Sequence, residues 1–172
     1  MTRARWQLAL RALREAHPDR LVRDHTRLMF VACSESAATE SLLAAFPTAY
    51  VLQTLAGGPL DLDSGARATL EYGAICQGVR HIVVCGHDSC RGDDHARTPE
   101  ASQALLVARS RVLVEDPLLG PMLRRARVTI RALWFDEVSS ELYACDFEGR
   151  ASKLMQDAEL TAMFARFDEL SA

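Results

Sequence analysis

The chain has 172 residues, 49% of them hydrophobic and 25% charged, with a formal net charge of -3 at pH 7. That length suits a single globular domain over 1–172 whose core needs no disulfide staples, and the acidic balance argues against general nucleic-acid affinity. No apolar run reaches the roughly 18 residues of a membrane span, and Arg3, Arg5, Arg11 and Arg14 interrupt any signal-peptide core; the expected location is cytoplasmic, away from any membrane.

Residues 3–16 show helical spacing, with Trp6, Ala9, Leu10 and Leu13 on one stripe, and Pro18 ends that arm. "RLMFVAC" (27–33) and "AYVLQ" (49–53) are short apolar runs suited to strands buried on both faces. "LAGGPLDLDS" (55–64) is a loop, and Asp63 or Ser64 can cap the helix after it. On that helix Ala66, Leu70, Gly73, Ala74 and Gln77 share a side dominated by small residues, so it should pack very close to its neighbour. "RHIVVCG" (80–86) is the most β-branched strand. A polar loop then leads to a helix over about 100–114, followed by the breaker-rich "DPLLGP" (116–121). "RVTIRALWF" (127–135) and "ELYACDF" (141–147) are strands joined as a hairpin by "DEVSS". Residues 152–170 return to helical spacing.

Alternation of strand and helix through the middle predicts an α/β fold, a mostly parallel central sheet of about five strands flanked by helices. In such sheets function gathers at the carboxyl ends of the strands. Two apolar runs end there in chemistry-bearing residues: "ACSES" (32–36) and "CGHDSC" (85–90).

Five cysteines form an odd set without an export signal, which favours buried thiols or metal ligands over a disulfide framework. Cys76, Cys85 and Cys145 lie within apolar patterns and are read as core. His87 and Cys90 are separated by two residues, so a tight turn can aim both at one ion, and Cys33 at a neighbouring strand end can supply a third donor. Two thiolates and one imidazole suit Zn2+. Asp88 and Ser89 are read as fixing the turn between those donors. Gly57 and Gly58 mark a turn, because no lysine or strand–glycine–helix pattern supports a phosphate cradle. His95 is a loop histidine whose ordinary pKa near neutrality would suit a proton shuttle.

"LEYGAICQGVRHIVVCGHDSCRG" (70–92) resembles the second zinc motif of the β-class carbonic anhydrases, and "FVACSES" resembles their first, Cys-x-Asp-Ser-Arg. "TLAGG" (54–58) stands where they carry Arg-Asn-Ala-Gly-Gly or a relative of it, and "VTIRALWFDEVSSELY" is similar to their penultimate hairpin. The resemblance runs from about Leu28 to Tyr143. It implies zinc held by Cys33, His87 and Cys90 in a homodimer or dimer of dimers, with the N-terminal arm (1–20) packing on a partner subunit. It further implies reversible hydration of carbon dioxide to bicarbonate by zinc-bound hydroxide. Glu35 then takes the place of the family's catalytic aspartate, and Ala37 that of the arginine which holds that aspartate off the metal. Ser36, Ala37, Thr54, Leu55, Gly57, Gly58 and Asp88 are the matching pocket candidates. Glutamate is one methylene longer than aspartate, so Glu35 can orient the water or reach the metal as a fourth ligand. The second outcome would leave a catalytically silent zinc protein acting as a binding or regulatory subunit.

Overall fold

The computed structural model describes residues 27–36, 39–40, 46, 49–54, 64–88, 90, 98–145, 147 and 153–154. The expected helix over 3–16, the arm within 1–20 and nearly all of 152–170 lie outside these. Strands β1 (Leu28–Cys33) and β2 (Tyr50–Thr54) come first, then helix α1 (Ser64–Ile75) and β3 (His81–His87). Helices α2 (Pro99–Glu115) and α3 (Leu119–Arg125) follow, and β4 (Thr129–Asp136), β5 (Glu141–Cys145) and the two-residue β6 (Lys153–Leu154) complete the order.

One sheet contains all the strands in the order β2-β1-β3-β4-β5-β6. The first four neighbours are parallel, while β5 runs antiparallel to β4 and β6 antiparallel to β5. Buried parallel strands read as unbroken apolar runs because helices cover their faces, and β1 is buried at every position. Strand β2 departs from that expectation. It stands at the sheet's edge, and its residues are exposed or only half-buried.

Met29 and Val31 of β1, Ile82 and Val84 of β3, and Ala132 and Trp134 of β4 form one apolar face. Leu70 and Ala74 of α1, Leu106 and Leu113 of α2, and Leu119 and Leu123 of α3 pack on it. The small-residue side of α1 does meet its neighbour closely: a Cβ on Gly73 would stand 2.4 Å from Met29 Cε. On the opposite face Phe30 is fully buried, with its ring 5.6 Å from that of Phe46.

The segment "DPLLGP" opens α3, because Pro121 falls in the first turn, where its missing N–H removes no helical bond. Asp116 starts that turn, its Oδ1 accepting the backbone N–H groups of Leu118 and Leu119 at 2.9 and 2.7 Å. Cys76 is exposed and not core, just past the end of α1 at Ile75, which is itself exposed. Lys153 and Leu154, expected in a helix, pair with Ala144 and Tyr143 as β6. Among the described residues no helix is long and apolar enough to cross a membrane.

Candidate metal centre

The chain leaves β1 for β2 on one side of the sheet, then crosses to β3 on the other side of β1. Such a reversal opens a crevice at the carboxyl ends of the two central strands. Cys33 is the last residue of β1 and His87 the last of β3, with Cys90 three residues on. Register brings the halves together, because Ala32 pairs with Cys85 in the parallel ladder.

The Sγ atoms of Cys33 and Cys90 are 3.6 Å apart. These two sulfurs and a nitrogen of His87 all lie within 4.8 Å of one another. Tetrahedral zinc with Zn–S bonds of about 2.3 Å separates its two sulfurs by about 3.8 Å, so the thiols already stand at nearly that spacing. Cys33 and His87 are buried and Cys90 is half-buried. Both ring nitrogens of His87 are buried without a hydrogen bond. Leaving such groups unsatisfied is costly, and a metal on one nitrogen relieves part of that cost. Softness, spacing and burial of the donors therefore fit zinc.

The surroundings fix the donors' backbone. The Cys33 carbonyl accepts the Thr39 hydroxyl at 2.8 Å and the Ser36 N–H at 3.4 Å. The His87 carbonyl accepts the Ser102 hydroxyl at 3.0 Å, and Ser102 Oγ in turn accepts the buried indole N–H of Trp134 at 3.0 Å. Helix α2 and strand β4 thus hold the end of β3. Thr98 caps α2 by accepting the Ala101 N–H, and Pro99 occupies its first turn, so Ser102 sits on a well-anchored helix start.

Glu35 is exposed, and its backbone N–H donates to Cys33 Sγ at 3.5 Å. Among the described residues, Glu35 stands outside the three-donor group. Ser36 is buried beside Cys33. Thr54 pairs with Cys33 across the β1–β2 ladder, and its buried Oγ1 makes no hydrogen bond. Asp88 accepts the Glu137 N–H at 2.9 Å through Oδ1 and donates its own N–H to the Phe135 carbonyl at 3.2 Å. Ala37, Leu55, Gly57, Gly58 and His95 lie outside the described residues.

Thr39, Ser102, Trp134 and Glu137 escaped the sequence reading. Each acts through the fold: Ser102 through the seating of α2, Glu137 through the β3–β4 register that pairs His87 with Phe135. The thiol of Cys85 is a different case: burial pushes its pKa up to about 12, which keeps it neutral and out of metal chemistry at ordinary pH.

A family model described as "Carbonic anhydrase" matches residues 28–115. The carbonic anhydrase of Saccharomyces cerevisiae is 32% identical over 65 residues, which are 37% of this chain and 29% of the yeast protein. That alignment therefore spans less than a third of the relative's length. Among solved structures, the β-carbonic anhydrase CafD of Aspergillus fumigatus matches with a TM-score of 0.56 and 19% identity, covering 72% of this chain and 91% of that one. One of two tetrameric β-carbonic anhydrases from Sordaria macrospora matches with a TM-score of 0.60 and 18% identity, covering 80% and 90%. At these identities the structural likeness is one of fold.

Proposed function

From the premise that the chain belongs to the β-class carbonic anhydrase family, we propose that it is a zinc-dependent lyase interconverting carbon dioxide and bicarbonate. Cys33, His87 and Cys90 hold the metal. The observation that carries this reading is the three-donor group with its sulfurs 3.6 Å apart, a ligand count that leaves one tetrahedral position for chemistry. Zinc, when bound, supplies a Lewis-acidic centre that makes water nucleophilic at neutral pH.

The chain's own residues do the rest. Two thiolates and a neutral imidazole give a formally neutral centre, so neighbouring polar groups carry more of the work than at an all-histidine site. Glu35, two residues beyond Cys33 and outside the donor group, offers a carboxylate that accepts a proton-bearing O–H and orients it. Thr54 Oγ1, unbonded at the end of β2, offers a hydroxyl to a polar substrate oxygen. Asp88 is engaged with the Glu137 backbone and serves the turn.

A second reading has Glu35 closing the metal site as a fourth ligand, leaving a silent binding or regulatory subunit. It is favoured by alanine at position 37, which cannot hold a longer carboxylate away. Stopped-flow carbon dioxide hydration on the zinc-loaded protein and its Glu35→Ala variant separates the two. The lyase reading expects hydration well above the uncatalysed rate, lost in the variant while zinc is retained. Hydration at the background rate with weaker zinc binding in the variant supports the closed site. The same reading includes a cytoplasmic single-domain protein assembled as a homodimer or dimer of dimers, an assembly measured by light scattering of the full chain.

A further inference from the structure

We propose that Glu137 is a positioning residue for His87: its carboxylate accepts a hydrogen bond from the Nδ1–H, so that Nε2 is the nitrogen presented to the metal. This rests on the zinc reading of Cys33, His87 and Cys90. The two nitrogens of an imidazole point to different sides of the ring, and the partner of one decides the role of the other. Glu137 Oε1 stands 3.3 Å from Nδ1 of His87, within ion-pair reach though not aligned as a hydrogen bond. The His87 side chain is 3% exposed, so solvent offers that ring little competition.

The carboxylate is delivered by a braced turn. Asp136 Oδ1 accepts the N–H groups of Val138 and Ser139 at 2.8 and 3.0 Å, closing the β4–β5 connection on itself. Asp88 then bonds to the end of β4 on either side of Asp136, to the Phe135 carbonyl and the Glu137 N–H. These two bonds extend the β3–β4 ladder one step beyond the His87–Phe135 pair. The residue after the histidine thus holds the backbone of the glutamate that faces the histidine ring. With the His87 carbonyl pinned by Ser102, rotation of the ring is the freedom left, and Glu137 selects among its orientations.

His87, Asp88 and Glu137 also place one donor atom each within 4.8 Å of the others. Asp88 Oδ1 already accepts the Glu137 N–H, so the trio is wired as support and not as a second ligand set.

The test uses the full chain with zinc as the probe. Long-range 15N–1H NMR of the zinc-loaded wild-type protein should show His87 metal-bound at Nε2 and protonated at Nδ1. Chelator competition should show zinc affinity about 10- to 100-fold weaker in Glu137→Ala. Glu137→Gln, whose amide oxygen still accepts a proton from Nδ1, should recover most of that loss. One zinc per chain is expected throughout, and the metal-free melting temperatures of the three proteins should agree. Metal on Nδ1, two zinc ions per chain, or Glu137→Ala affinity within about twofold of wild type overturns the proposal. If Glu137→Ala fails to fold, the wild-type NMR assignment decides alone. Failure of the wild type to bind zinc overturns the metal reading and this inference together, whereas unchanged affinity in Glu137→Ala overturns this inference only.

Discussion

Replacing His81 should remove a pH dependence of stability that the wild-type protein carries. His81 opens β3 and is 4% exposed. Burial, with the charges of Arg131 and Arg27 adding to it, lowers its pKa from 6.5 to about 4. The folded state therefore resists protonation that the unfolded chain accepts, and stability falls as the pH drops from about 6.5 toward about 4. A displacement of about 2.5 units corresponds to about 3 kcal/mol in full, of which about 2 kcal/mol is lost between pH 7.5 and 5.0. For a chain of this size that is a drop of about 4–8 °C in Tm. His81→Leu keeps a side chain of similar bulk and cannot titrate. Urea denaturation of both proteins at pH 7.5, 6.5, 5.8 and 5.0, with chelator present to remove metal linkage, gives the pH-dependent difference directly. Any constant offset from the substitution cancels. Wild type should lose about 2 kcal/mol more than the variant over that range, and curves that stay parallel within about 0.5 kcal/mol would refute the reasoning.

Gly120→Ala should lower Tm by about 4–8 °C, since a new Cβ would stand 2.2 Å from the Val114 carbonyl oxygen and such overpacking costs about 2 kcal/mol. Thermal melts at pH 7.5 measure it. Ser140→Gly should stabilise by about 1 kcal/mol, because Ser140 closes the β4–β5 hairpin at φ 60° with a buried hydroxyl that makes no hydrogen bond; denaturant midpoints check this. Maleimide labelling at pH 7, read by mass spectrometry of the native protein, should modify the exposed Cys76 rapidly and spare Cys85, whose thiol is desolvated.

The grouping of Cys33, His87 and Cys90 was legible because two of them end apolar runs, and strand ends in α/β folds are where ligands meet the chain. The β-branched run of β3 and the "DEVSS" hairpin were visible for similarly local reasons. What stayed hidden depended on neighbours. The apolar pattern of β2 says nothing of its place at the sheet's edge, which follows from strand order. Gly120 and Pro121 look like breakers until Asp116 is seen accepting the first N–H groups of the turn. Glu137 has no distinguishing motif, and only the pairing of His87 with Phe135 brings it beside the imidazole.

The separation of 57 positions in sequence between Cys33 and Cys90 gives the proposed metal centre a place in time as well as in space. Neither half can close on an ion until β1 and β3 have found their parallel register, a long-range contact of the kind that forms slowly. A chain still emerging or refolding offers zinc only scattered thiols and a lone His-x-x-Cys pair. On the zinc reading, capture of the ion at full affinity is therefore a late event, and a cobalt absorption band during refolding would report the moment the central strands lock.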